Sequence, residues 1–121
     1  SALRAAWRST KFQFLIALDR ADDLEQELRT WVREDQTMSP WRQSLARLLA
    51  ERGKLDEAIS IFESCEKDKL LSSSDFQMLS NWYLAMNRRA DHDRAKLEAF
   101  KQMPEGNLSN SLYSIRNRWY Q

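Results

Sequence analysis

The chain has 121 residues, with 19 Lys or Arg against 18 Asp or Glu. That length predicts one domain over residues 1–121 with one hydrophobic core, and the near balance of charge argues against a nucleic-acid or anionic-membrane partner, either of which would need a basic excess. One cysteine and one histidine exclude an intrachain disulfide and are too few for a zinc site, and no apolar run approaches the roughly 20 residues that span a bilayer.

The composition favours helices over strands. Two glycines and two prolines are too few for the many turns of a β-sandwich or barrel. Leu, Ala, Glu, Arg, Lys and Gln, which are good helix formers, together make up about half of the chain. No stretch shows sustained alternation of apolar and polar residues, so we expect an all-α fold.

Apolar residues recur every three or four positions along the chain, as on one stripe of a helix. Residues 2–8, with Leu3 and Trp7, are predicted to end a preceding helix, and Leu108 to Tyr120 to begin a hairpin without a second helix, so we expect a fragment of a longer array. The short breaks between stripes predict antiparallel helical hairpins. The stripes are, in chain order, Phe14, Leu15 and Leu18; Leu24, Leu28, Trp31 and Val32; Leu45, Leu48 and Leu49; Leu55, Ile59, Phe62 and Cys65; Phe76, Leu79, Tyr83 and Met86; Leu97, Phe100 and Met103; and Leu108, Leu112, Ile115 and Trp119.

Several residues are predicted to begin helices. In Ser39-Pro40-Trp41, an N-cap serine precedes a proline in the first turn. Ser74-Asp75-Phe76-Gln77 has the Ser-x-x-Gln pattern of a capping box. Further N-caps are predicted at Ser9, Asp91 and Ser109.

Gly53 is predicted to join two helices. It lies in an otherwise strongly helix-forming stretch, where a glycine costs roughly 1 kcal/mol against alanine. A glycine just past a helix end adopts a left-handed conformation without a Cβ penalty, and Asp56 and Glu57 then favour the N-terminus of the next helix. Asn87, which follows Gly53 at a 34-residue interval, is predicted to form a second such joint, because asparagine tolerates the left-handed region.

The 34-residue interval recurs between apolar residues, as between Leu45 and Leu79 or Leu49 and Tyr83. A fixed period of this size is typical of a repeat protein. The chain resembles the tetratricopeptide repeat family, whose pattern is W-x2-L-G-x2-Y followed by A-x3-F. The residues that match it are Leu45-Ala46-x2-Leu49, Ala58-x3-Phe62 and Phe76-x2-Leu79-Ser80-x2-Tyr83.

The resemblance implies a right-handed α-solenoid of about three antiparallel hairpins plus a terminal helix. Small residues such as Ala46, Ala58 and Ser80 would let helices approach closely, and neighbouring hairpins would stack because one alone cannot bury its apolar face. The first repeat, Phe14-Leu15-x2-Leu18, is placed about 31 residues ahead of the second. The third is expected to carry three or four extra residues around Arg88 to Asp93.

Residues with catalytic chemistry are few. His92, the only histidine, lies in a charged string that is typical of a solvated helix start. Cys65 lies on an apolar stripe, where a buried thiol is expected to be inert. The acidic residues at 22, 23, 25 and 27 match the dipole of a helix N-terminus. We therefore expect no enzyme, no catalytic residue, no cofactor and no metal.

Two function classes remain open. The first is a protein-interaction scaffold that binds a protein or peptide partner through a concave face; the second is a helical accessory subdomain that packs on a catalytic or sensory module. A third class, binding of single-stranded RNA, has less support from the sequence, because the near-zero charge gives little attraction for phosphate. We also expect weak self-association through the exposed apolar ends at Trp7, Ile115 and Trp119, and a cytoplasmic location is favoured.

The resemblance also implies which residues would line the concave face. In the family these lie two positions before and two after the leucine of the L-G pair. In the family, a clamp for an acidic C-terminal peptide needs several basic and amide residues. Here only Arg47 and Asn81 come close to this requirement, which argues against that ligand. The predicted partner-binding residues are Phe12, Ile16, Gln43, Arg47, Gln77 and Asn81.

Overall fold

A computed structural model describes residues 2–35 and 40–103, and its described part is all-helical. Two compact units are divided between Lys67 and Asp68. The first unit contains α1 (Ala2–Ala17), α2 (Ala21–Glu34), α3 (Trp41–Glu51) and α4 (Leu55–Lys67); the second contains α5 (Ser73–Ala85) and α6 (Arg89–Lys101). Within the units, helices in contact are α1 with α2, α2 with α3, α3 with α4, and α5 with α6.

Three helical hairpins share one turn structure. Each first helix is followed by a single residue in the left-handed region: Asp19 (φ 54°), Gly53 (φ 82°) and Asn87 (φ 59°). The residue after it donates its N–H back to a carbonyl in the last turn, at 3.0 Å from Arg20 N to Leu15 O and at 2.8 Å in both other hairpins. These are Schellman turns, which satisfy carbonyls that a helix end leaves without partners. The predicted joints at Gly53 and Asn87 are confirmed.

The three turns are evenly spaced along the chain. Asp19, Gly53 and Asn87 follow one another at the same 34-residue interval. The ends of the first helices (17, 51 and 85) and the starts of the second helices (21, 55 and 89) repeat with that spacing too. The 31-residue offset predicted for the first hairpin is therefore wrong, and the extra residues predicted in the third hairpin do not lie before α6.

The core residues of the first hairpin also differ from the prediction. Leu15 is buried, but Phe14 and Leu18 are about half exposed or more, because the buried stripe of α1 runs through Arg8 and Leu15. Residues 2–8 belong to the same continuous helix as Ser9, which is not a helix start. The apolar pattern was misleading here because α1 has apolar residues on two faces.

The second and third hairpins are packed around small residues. Ala46, Ala58 and Ser80 are fully buried, as predicted for close approach of helices. In α6, however, the buried residues are Ala95 and Ala99, whereas Leu97 is 53% exposed. Alanines four residues apart let α6 approach α5 closely, and the Ser73 hydroxyl donates to the Ala99 carbonyl at 2.7 Å. The predicted stripe of Leu97, Phe100 and Met103 is therefore not the buried one.

The cap of α5 lies two residues before the predicted one. Ser72, not Ser74, is the N-cap: its hydroxyl accepts from the Asp75 backbone N–H at 3.3 Å, and the Asp75 carboxylate accepts from the Ser72 backbone N–H at 3.0 Å. Asp91 lies in the first turn of α6 rather than at its cap, and Pro40 precedes α3 directly. Ser39, Ser109 and the helix predicted from Leu108 lie outside the described residues.

Gly53→Val should lower the free energy of unfolding by about 1–2 kcal/mol, because a left-handed conformation is costly for a residue with a Cβ. Beyond the adjacent residues, no atom lies within 4 Å of a Cβ built on Gly53, so the cost should come from the backbone alone. Gly53→Asn is the matched control, since Asn87 occupies the equivalent position, and it should cost much less. Urea unfolding measures both, and equal losses for the two variants would contradict this account.

Ser72→Ala should lower the free energy of unfolding by about 1 kcal/mol, because the variant removes the Ser72 hydroxyl, one of the two side-chain acceptors of the capping box. Ser74→Ala is the control: the Ser74 hydroxyl contacts the Ser72 hydroxyl at 3.1 Å but does not cap the helix, so its loss should cost clearly less. Thermal unfolding followed by circular dichroism compares them. A larger loss for Ser74→Ala would place the cap at Ser74.

Candidate functional site

The 34-residue interval decides which residues of the three first helices are equivalent. Gln43 in α3 corresponds to Gln77 in α5, and Arg47 corresponds to Asn81. In α1 the same positions are held by Ser9 and Gln13, not by the predicted Phe12 and Ile16. Counting back from the turn at Asp19 identifies them, because Schellman turns fix the register more firmly than apolar spacing does.

Phe12 belongs to an aromatic cluster inside the first unit. Its ring centroid lies 5.4 Å from that of Trp41, and the Trp41 ring lies 5.0 Å from that of Trp31. Both pairs are tilted, an arrangement that aromatic rings favour. The Arg8 guanidinium lies over the Trp31 ring at 5.8 Å and bonds to Glu34 at 2.6 Å. Phe12 thus packs between hairpins and is only half-buried, while Ile16 is about half exposed.

The other predicted residues carry polar side chains at the surface of their helices. Gln77 and Asn81 are exposed on α5, and Gln43 and Arg47 are half-buried on α3. Ser9 and Gln13, their equivalents in α1, are exposed as well. Amide groups can both donate to and accept from an extended peptide backbone, and an arginine can hold a carboxylate with two hydrogen bonds.

The two residues considered for catalysis occupy ordinary environments. Cys65 is fully buried on α4, as the sequence predicts. The His92 Nδ1 lies 3.1 Å from the carboxylate of its neighbour Asp93 on α6. Among the described residues, no group of three or more His, Cys, Asp or Glu side chains is placed to hold a metal ion.

A charge cluster joins the first two hairpins around Glu25. The Glu25 side chain is only 12% exposed and lies 3.0 Å from Lys54 Nζ and 3.1 Å from Arg29. Burial raises the pKa of the Glu25 carboxyl, but hydrogen bonds from Lys54 and Arg29 outweigh that effect and hold the pKa below its ordinary value. Arg29 also bonds to Glu57 at 2.9 Å, so charges of both signs alternate between α2 and the start of α4.

The sequence interpretation missed a charge pair that recurs at the start of every second helix. A basic residue directly after the left-handed joint is followed three residues later by an acidic one. The pairs are Arg20 with Asp23, Lys54 with Glu57, and Arg88 with Asp91. Arg20 and Asp23 bond to each other at 2.5 Å, as Arg88 and Asp91 do at 2.9 Å. Lys54 and Glu57 bond instead to Glu25 and Arg29 of the preceding hairpin. Counting from the left-handed joints reveals this signal.

Comparison of the chain with protein-family models, curated proteins and solved structures gives no match. Over residues 2–35 and 40–103, none of the helices combines the length and the apolar character needed to cross a bilayer.

Glu25→Gln should lower the free energy of unfolding by about 1–3 kcal/mol at pH 7, because it weakens hydrogen bonds between charged groups in a largely buried site. The folded-state pKa of Glu25 is depressed, so its contribution is present above the ordinary glutamate value of 4.5 and is lost as the pH falls through the folded-state value. The difference between the two proteins should therefore shrink in acid.

Urea unfolding at neutral and acidic pH measures this difference. Glu51→Gln is the control, because Glu51 is an exposed glutamate at the end of α3 and should change stability by less than about 0.5 kcal/mol. A Glu25→Gln loss that stays the same from pH 7 to strongly acidic conditions would show that the charge of Glu25 does not stabilise the fold.

Proposed function

We propose that this chain is a tetratricopeptide-like helical-repeat scaffold, which binds a protein or peptide partner and catalyses no reaction. The observation that carries the proposal is the 34-residue interval between the three Schellman turns at Asp19, Gly53 and Asn87. That interval is the repeat length of the tetratricopeptide family. It appears in the backbone, independently of the apolar residues from which the resemblance was first drawn.

Packing within the first unit supports the same proposal. The second helix of one hairpin, α2, contacts the first helix of the next, α3. Trp41 at the start of α3 packs against Phe12 and Trp31, one from each helix of the preceding hairpin. Repeat proteins are stabilised by contacts of this kind between adjacent hairpins. A right-handed solenoid is the architecture that we propose for the array.

The binding face that we propose lies on the first helices. Ser9 and Gln13 replace Phe12 and Ile16 in α1, since Phe12 packs against Trp41. The set is then uniformly polar: serine and glutamine in α1, glutamine and arginine in α3, glutamine and asparagine in α5. Side chains that both donate and accept suit the backbone of an extended peptide, whose own N–H and C=O groups need partners.

The absence of catalysis is proposed from the state of the two reactive side chains. Burial keeps the Cys65 thiol away from any substrate. The His92 side chain is only 18% exposed and faces the carboxylate of Asp93, its neighbour on α6.

A photo-crosslinking residue tests which face binds. Placed singly at positions 13, 47 and 81, which are equivalent in the three first helices, it should crosslink to a copurifying protein partner. The matched controls are 26, 60 and 94, which are equivalent positions exposed on the three second helices. These should give little crosslinking, because they lie on the other helix of each hairpin.

Circular dichroism checks that every variant keeps its helical content. Crosslinking from the second-helix positions alone would overturn the proposed face and place the partner on the opposite surface. If both sets react equally, the partner does not select the first helices, and the concave-face proposal fails.

A further inference from the structure

The exposed side of α1 carries large apolar residues. Leu3, Trp7 and Phe14 lie on α1 and Leu18 directly follows it; their spacing by four, seven and four residues places them along one stripe. We call this stripe the α1 apolar face. Trp7 is 62% and Phe14 61% exposed, and Leu3 and Leu18 are exposed as well. Exposed apolar patches are a common feature of interaction sites.

The second hairpin shows the contact that a tryptophan at the position of Trp7 makes with a preceding hairpin. Trp41 is the equivalent of Trp7 at the 34-residue interval, since the two tryptophans lie equally far ahead of the left-handed joints at Gly53 and Asp19. Trp41 occupies a socket made by Phe12 of α1 and Trp31 of α2, at centroid distances of 5.4 and 5.0 Å. At this position, the side chain that α3 packs against the preceding hairpin is one that α1 exposes.

A second, electrostatic observation points to the same occupant. Arg20 and Asp23 are the equivalents of Lys54 and Glu57. In the second hairpin these residues bind Glu25 and Arg29, an acid and a base one helical turn apart on α2. In the first hairpin Arg20 and Asp23 bind each other, as Arg88 and Asp91 do in the third, and both remain substantially exposed. Their charges match a helix that carries a Glu-x-x-x-Arg pair.

We propose that the α1 apolar face, together with Arg20 and Asp23, is a docking site for a helical hairpin whose second helix resembles α2. Such a helix is acidic overall, carries a glutamate and an arginine four residues apart, and contributes an aromatic residue to a socket for Trp7. The charge complementarity rests on Arg20 and Asp23, because Arg8 and Lys11 of α1 already bond to Glu34 and Glu27 of α2. The docking site is separate from the polar positions of the proposed binding face and does not depend on them.

The first hairpin itself is the probe that tests the site. In a tandem chain, residues 1–35 are duplicated ahead of Ala2, so that the two copies of Trp7 lie at the 34-residue interval and the original chain follows the inserted hairpin intact. The tandem chain should melt at a higher temperature than the original. In the original chain, Trp7→Ala should change Tm by less than about 2 °C, because the side chain is largely exposed.

The position of the substitution in the tandem chain provides the internal control. Trp7→Ala in the original hairpin should now lower Tm by about 6 °C or more, as burial of a tryptophan implies. The same substitution in the inserted hairpin should remain nearly neutral, and Trp41→Ala should be costly in both chains. If Trp7→Ala costs no more in the tandem chain than in the original, the proposal is overturned.

A charge exchange tests the electrostatic half. In the tandem chain, Glu25→Arg in the inserted hairpin and Arg20→Glu in the original hairpin should each lower Tm, and the two together should recover most of the loss. Additive losses would show that these side chains do not meet. Sedimentation of the original chain tests the remaining occupant: a dimer that Trp7→Ala abolishes would assign the face to a second copy and overturn the proposal.

Discussion

A left-handed residue at the end of each first helix sets the geometry of all three hairpins. Asp19, Gly53 and Asn87 reverse the chain in the same way. The second helix of every hairpin therefore starts two residues after the left-handed residue. The residue directly after the joint donates the hydrogen bond that closes the turn. It also carries the positive charge of the recurring pair, as Arg20, Lys54 or Arg88. A single backbone requirement thus places both the hairpin reversal and a charged group at a fixed point on the hairpin surface.

Contact between the first two hairpins combines a nonspecific part with a selective part. Trp41 between Phe12 and Trp31 buries apolar surface, which favours association with many apolar partners. Glu25 is largely buried, and a buried carboxylate without cationic partners would cost several kcal/mol. Arg29 of the same helix stays beside Glu25 whichever neighbour packs there, so a neighbour that lacks a base would lose the bond that Lys54 makes but would not leave the carboxylate without a cation. Selectivity for the correct neighbour follows from the charges more than from the aromatic cluster.

The sequence was sufficient to predict the helical class, the joints at Gly53 and Asn87, and the burial of small residues such as Ala58. Residue type alone carries those signals, since glycine and asparagine favour left-handed turns. Asp19 was missed because aspartate is also a preferred N-cap residue, so an aspartate just before a helix does not by itself indicate a left-handed joint. The register of the first hairpin was wrong because Phe14 and Leu18 are as apolar as core residues, and periodicity cannot tell a buried stripe from an exposed one.

The same limitation explains why two of the predicted site residues, Phe12 and Ile16, were wrong. Phe12 and Ile16 were chosen from a register set by apolar residues, whereas the turns place Ser9 and Gln13 at those positions. Conversely, the pairing of Arg20 with Asp23 was invisible while the first hairpin was out of register, because its equivalence to the basic and acidic residues of the second hairpin appears only at the 34-residue interval.

The three hairpins can be compared position by position, because they share the same turn and the same 34-residue spacing. Some positions keep the same conformation or the same charge in all three hairpins, namely the left-handed joint and the basic and acidic residues that follow it. We attribute these positions to the structure of the hairpin itself. Positions 13, 47 and 81 keep polarity but change from glutamine to arginine to asparagine, differing in charge and reach. Glutamine, arginine and asparagine are also common on solvated helix faces, so polarity alone assigns no partner to these positions, whereas the joint and the charge pair that follows it belong to the hairpin turn itself.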